Sequence, residues 1–167
     1  MSATELQNLE KNIERLKRQL ATKRDTLTTI APEEKERIRQ QIEDLRENIR
    51  EYETDYWRLM NDLAAGVEIP EAEALEIVTA TITEVEAVTI EPPGDLSPLI
   101  LGKLEEILAT LRQPESPAAG KLKAALSALP PFVTVSYEAE LDTERALRQY
   151  FPTFNRYLGG LKERLKK

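Results

Sequence analysis

Glu138, Glu140, Asp142 and Glu144 fall on every second position beside Tyr137, close enough together to be weighed as a catalytic or metal-binding set. On an extended strand Glu138 and Glu140 share one face, where paired carboxylates can hold a divalent cation or a basic partner. Oxygen ligands for such an ion need a turned, convergent loop, and no Asp-x-Asp-x-Asp-Gly spacing occurs. The four acids are therefore read as a solvated strand face followed by a helix cap. Histidine is absent, which removes His-based triads, general bases and metal ligands. Cysteine is absent too, which removes disulfides, thiolate nucleophiles and Cys-based zinc sites. The six glycines form no phosphate-binding loop, and no Gly-x-Ser-x-Gly elbow occurs. The expectation is a protein that is not an enzyme and carries no cofactor and no metal.

Arg145, Arg148, Tyr150, Arg156 and Tyr157 interleave cations with aromatics, a pattern that can stack single-stranded nucleic acid. An amphipathic helix with its arginines on the wet side makes the same pattern more commonly, and we take that reading. The Pro130-Pro131-Phe132-Val133 segment and the helix after it offer a third use, on a membrane surface or in a partner's groove.

Composition fits a folded, helix-rich protein. Of 167 residues, 41% are hydrophobic and 32% charged, while only 5% are aromatic. Charge is segregated: residues 1–65 hold 12 basic and 14 acidic groups, 66–117 hold 2 and 11, and 118–167 hold 9 and 5. An acidic middle and a basic end can attract one another within or between chains. The formal net charge of −7 argues against nucleic-acid binding by the whole chain. No stretch approaches the ~18 apolar residues of a membrane span, and the polar start from Ser2 resembles no secretory signal. A soluble, cytoplasmic protein is expected.

The elements that must position these groups begin with two heptad seams. Leu6, Leu9, Ile13, Leu16, Leu20, Lys23 and Leu27 recur at 3-4 spacing, as do Ile38, Ile42, Leu45, Ile49, Tyr52, Tyr56 and Leu59 after a break at Ala31-Pro32. Folded at that break, each partner pair sums to 65, from 27 with 38 to 6 with 59, so the spacing predicts an antiparallel coiled-coil hairpin over residues 1–65. Ser2 and Glu5 have capping-box spacing, and Pro32 suits a helix first turn. Lys23, the one polar seam residue, is read as snorkelling into water. Tyr52, Tyr56, Trp57, Leu59 and Met60 widen the apolar stripe beyond what two helices need. They mark a junction with whatever follows.

Residues 66–167 are read as a small α+β module. The run 70–90 is helix or strand: Leu75, Val78, Ile82 and Val85 have helical spacing, but the segment is dense in β-branched residues. We favour helix. Ser97-Pro98 starts a helix over 97–112 whose stripe is Leu96, Ile100, Leu104, Ile107, Leu108 and Leu111. Val133, Val135 and Tyr137 alternate with polar residues after Pro130-Pro131, and predict a β-hairpin over 121–141 that packs on helices. Asp142 caps a final helix over 143–165, with Leu147, Tyr150, Phe151, Phe154, Tyr157, Leu158 and Leu161 buried and Pro152 kinking or splitting it. Its basic ending, Lys162, Arg164, Lys166 and Lys167, suits a helix C-terminus.

Two stretches resemble known modules. The N-terminal hairpin is similar to coiled-coil segments at the front of cyanobacterial multidomain signalling proteins. The pattern Pro-x-x-Gly-Lys-Leu-Lys-x-Ala-Leu, Pro-Pro-Phe-Val and Ser-Tyr-Glu-x-Glu-Leu-Asp-Thr-Glu, between Pro117 and Glu144, resembles a module that precedes STAND-type NTPase or pentapeptide-repeat regions in immunity and conflict signalling. The resemblance implies an effector-associated adaptor, here with neither NTPase nor repeats and so acting free-standing or in trans.

The overall expectation is a mainly α protein with a small α+β part. Its function is read as a non-enzymatic, oligomerising interaction module with a protein partner or effector. The residues singled out for contact are Trp57, Met60, Phe132, Tyr137, Phe151 and Phe154. The alternative is a membrane-active effector that uses its amphipathic C-terminal part.

Overall fold

Two long helices open the chain and lie antiparallel: α1 (Ser2–Thr29) and α2 (Lys35–Ala64), joined through a single 3-10 turn at Pro32–Glu34. The structure is a computed structural model and describes residues 2–166, without the side chain of Ser2. The cap expected between Ser2 and Glu5 therefore rests on a side chain outside the described residues, and Lys167 of the basic ending lies outside them as well. Ala31 is extended and Pro32 occupies the first turn, where its missing amide hydrogen has no partner to lose. The seam closes as its spacing requires. Leu16, Leu20, Ile38, Ile42 and Ile49 are buried together, with Leu27, Leu45 and Tyr52 packed against them. Lys23 is half-buried.

Six shorter helices follow: α3 (Glu71–Ile90), α4 (Pro98–Leu111), α5 (Ala118–Ser127), α6 (Leu129–Glu138), α7 (Thr143–Tyr150) and α8 (Pro152–Lys166). The run 70–90 is helical. Its buried edge is Ala74, Val78, Thr81 and Val85, rotated from the expected stripe so that Leu75 is exposed. In α4 the predicted stripe is buried from Ile100 to Leu111, and Ser97 caps the helix by accepting from the Leu99 amide at 3.2 Å.

The expected β-hairpin over 121–141 is absent, and among the described residues there is no strand, so the fold is all-α rather than α+β. The physical reason lies in how residues 118–141 pack. Leu122, Ala125 and Leu126 bury one face of α5, and Leu129, Phe132, Val133 and Ser136 bury one face of α6 at helical spacing. Pro130 and Pro131 stand in the first turn of α6, where prolines suit a helix. Tertiary burial of Phe132 and Val133 together outweighs the strand preference of alternating valines.

A Schellman turn ends α6. The Leu141 amide donates to the Ser136 carbonyl at 2.8 Å and the Glu140 amide to the Tyr137 carbonyl at 3.1 Å, with Glu140 at φ 58°. Asp142 then accepts from the Arg145 amide at 3.1 Å and starts α7. Phe151 breaks the final helix in two, leaving helical geometry at φ −138° and ψ 69° ahead of Pro152. Beneath it Phe132, Phe151 and Phe154 form edge-to-face pairs at 5.7 and 6.1 Å.

Helix α3 touches α4, α5, α7 and α8, and its acids hold two neighbours by their N-termini. Glu71 accepts from the Ala118 and Ala119 amides of α5 at 2.8 and 3.0 Å. Glu84 accepts from the Thr153 amide of α8 at 3.0 Å and its hydroxyl at 2.6 Å. Each carboxylate satisfies orphan amides and faces the positive end of a helix dipole.

Glu140 is the one described non-glycine residue with positive φ. A left-handed L-residue is strained by about 1 kcal/mol, and the Glu140 carboxylate gives little back through an exposed 3.9 Å contact with Arg46. Glu140→Gly is expected to raise unfolding stability by about 0.5–1 kcal/mol in urea titration. A β-branched replacement there should lower it.

Candidate functional site

The six residues singled out for partner contact lie mostly inside the protein. Met60 and Phe132 have no exposed surface, Phe151 and Phe154 are buried in the phenylalanine cluster, and Trp57 is 8% exposed. Tyr137 is half-buried where α6 meets the hairpin. Trp57 and Met60 share one apolar cluster with Leu6, Leu126, Leu158 and Leu161. The apolar face expected for membrane insertion, from Leu147 through Leu161, belongs to the same cluster. No helix among the described residues is long and apolar enough to cross a membrane.

The carboxylates 138–144 fan apart. Glu138 is exposed, Glu140 occupies the left-handed turn near Arg46, Asp142 caps α7, and Glu144 is exposed in its first turn. Among the described residues no group of three Asp or Glu side chains is arranged to hold a metal ion.

Instead the structure gathers a polar junction from Asp142 and two side chains distant from it in sequence. Lys17 of α1 reaches Glu53 of α2 at 3.1 Å and Asp142 of the α6–α7 turn at 3.2 Å. Glu53 is only 5% exposed, and its Oε2 has no hydrogen-bond partner among the described residues. Tyr137 and Thr143 lie close enough to influence this carboxylate without either hydroxyl meeting Oε2 in hydrogen-bond geometry. Burial pushes the Glu53 carboxyl above its ordinary range despite the adjacent Lys17. Burial alone would lower the Lys17 ammonium, but Glu53 and Asp142 outweigh it and hold the lysine above its usual value. The two directions agree with their settings: Glu53 is the more deeply desolvated, and Lys17 has two carboxylates to itself.

Beside this junction Tyr56 donates to Glu10 at 3.1 Å, and Glu10 also meets Lys166 at 2.8 Å. Burial raises the Tyr56 phenol far above its ordinary value, with the Glu10 charge adding to the effect. Lys162 stands 5.4 Å over the Tyr56 ring. These contacts tie the hairpin base to α8. A signal for Glu53 existed: it lies four residues beyond Ile49 and three before Tyr56, within the buried arc of α2. Lys17 lies next to the seam residue Leu16 and gave no such signal.

A second surface is apolar and faces outward. Among the described residues, Leu75, Ile90 and Leu99 are the large hydrophobic side chains left exposed, at 56%, 78% and 51%. Leu75 and Ile90 lie on the outer face of α3 with Ala72, Glu76, Thr79, Thr83 and Ala87, all exposed. Glu86, half-buried at the edge of this strip, pairs with Arg112. No protein-family model, curated protein or solved structure matches the chain.

Removing Lys17 leaves a buried anion uncompensated. Lys17→Met should destabilise the fold by about 3 kcal/mol at pH 7, the low end for a buried pair because Lys17 is partly exposed. The folded protein then binds a proton at Glu53 more tightly than the unfolded chain does. The loss is therefore present above the Glu53 titration and fades as pH falls through its raised pKa toward the ordinary 4.5. Urea titrations of both proteins between pH 4 and 8 measure this, and a pH-independent difference would refute the electrostatic account.

Proposed function

We propose that this chain is a non-enzymatic, self-associating adaptor that pairs through the outer face of α3. The observation that carries the reading is the composition of that face. Over about 30 Å of helix it offers Ala72, Leu75, Thr79, Thr83, Ala87 and Ile90, with Glu76 and Glu86 as its charges.

A second copy laid antiparallel across this face sets residue positions against one another so that each pair sums to 162. Leu75 then meets Ala87, Ile90 meets Ala72, and Thr79 meets Thr83. Large side chains face small ones at both ends, which is what close helix packing needs. Glu76 meets Glu86, whose partner Arg112 is half-exposed and can bridge the two. The arrangement is isologous and closes as a dimer.

The contact is small, on the order of 300 Å² per chain from a strip about 30 by 10 Å, below the roughly 800 Å² of a standard interface. It is also ringed by the acidic segment, since residues 66–117 hold 11 acids against 2 bases. Both features favour a weak and reversible dimer, suited to an adaptor that assembles when locally concentrated. The resemblance of residues 1–65 and 117–144 to effector-associated regions supports a setting in bacterial signalling or immunity, with a protein effector as partner. A cytoplasmic location belongs to the same reading.

Sedimentation equilibrium tests this directly. The expected dimer has a dissociation constant on the order of 10–100 µM and tightens as salt rises from 50 to 500 mM, because screening relieves like-charge repulsion. Thr83→Glu places a charge at the centre of the contact and should weaken it at least tenfold while leaving the circular dichroism unchanged. A monomer at every salt concentration and at several hundred µM would end the proposal.

A further inference from the structure

The cleft between the hairpin and α7–α8 has a volume of about 370 Å³ and combines features that the adaptor reading does not use. Ile13, Tyr56, Trp57, Leu147 and Leu158 give it an apolar and aromatic lining. Glu14 of α1 and Glu144 of α7 contribute exposed carboxylates from facing elements, and neither has an ion-pair partner among the described residues. Glu53 also lines the cleft, 95% buried, with its Oε2 unpartnered among the described residues.

We propose that this cleft is a binding site for a small linear diamine cation. Glu10, Glu14, Glu53 and Glu144 against Lys17 and Lys162 leave the lining two negative charges in excess, matching the two ammonium groups of such a ligand. Its methylene chain would lie along the apolar wall of Ile13, Trp57, Leu147 and Leu158, beside the Tyr56 ring that Lys162 covers. The desolvated Glu53 carboxylate projects its field into the cleft through low-dielectric surroundings, where it is weakly screened. An anion would be repelled by the same field. A bare metal ion lacks the convergent oxygen set, since no three carboxylates among the described residues are arranged to hold one.

Trp57 is the chain's single tryptophan and lines the cleft, so its emission, excited selectively over that of the five tyrosines, reports occupancy of this site. The full chain is titrated with 1,4-diaminobutane at constant ionic strength, alongside n-butylamine and magnesium chloride. The proposal expects a saturable change in Trp57 emission, with the diamine binding at least tenfold more tightly than the monoamine. The double variant Glu14→Gln with Glu144→Gln changes only exposed side chains and should weaken the diamine at least tenfold with unchanged circular dichroism. Glu53→Gln should weaken it as well. No saturable change would overturn the site, as would an equal response to butylamine or magnesium. Unaltered titration of the double variant would overturn it too. None of these outcomes depends on dimerisation through α3.

Discussion

The hairpin base cannot exist as bare coiled coil, and most of the architecture follows from covering it. Tyr56, Trp57 and Met60 extend the apolar surface of α2 beyond what α1 can bury, and all three end almost fully enclosed. A tryptophan and a methionine withdrawn from water contribute several kcal/mol at roughly 25 cal/mol per Å² of apolar area. Helices α5, α6 and α8 supply the cover, so the core that begins at Leu6 continues without interruption to Leu161. The aromatic residues that look like contact points in the sequence are therefore the residues that hold the hairpin to the rest of the protein.

Charge segregation has a related structural use. The acidic middle of the chain does not meet the basic end mainly through ion pairs. Two of its glutamates, Glu71 and Glu84, work as caps on other helices, where a carboxylate meets unpaired amides and the positive end of a dipole. A single helix thereby fixes the start of α5 and the start of α8. Its remaining acids stay near the surface, and they set the electrostatic character of the α3 face.

The legible parts of this fold are those where local chemistry and tertiary packing agree. The heptad seams, the Ser97 and Asp142 caps, the α4 stripe and the break at Phe151-Pro152 all read directly from residue type and spacing, because each is decided within a few residues. Residues 121–141 did not read correctly. Val133, Val135 and Tyr137 alternate as a strand would, and nothing local says that Phe132 and Val133 must enter the core side by side. Nor does Glu140 announce a left-handed turn, since glycine is the usual signal. In α3 Val78 and Val85 of the expected stripe are buried, but Ala74 and Thr81 complete the buried edge and Leu75 is exposed. A small residue buried where helices approach closely carries no hydrophobic signature. The Lys17–Glu53–Asp142 junction was hidden for a different reason: its members are distant in sequence, and although Glu53 falls in the buried arc of α2 and Asp142 reads as a cap, nothing local joins either to Lys17.

The cleft and the α3 face are joined by contiguous structure, and its stiffness determines what can pass between them. Helix α8 contributes Leu158 and Lys162 to the cleft and packs on α3, with its first turn held by Glu84. Coupling of two binding events requires an element with two arrangements that both events bias. Here α8 is fixed at one end by the Glu84 cap and along its length by buried Phe154, Leu158 and Leu161, with Phe151 wedged at its start. A close-packed helix of this kind moves little until the core opens. An occupant of the cleft would therefore raise the stability of the whole protein through mass action, and α3 pairing would be nearly indifferent to it. The two surfaces would act in parallel, one reading a small molecule and the other local protein concentration, with the shared core as their common support.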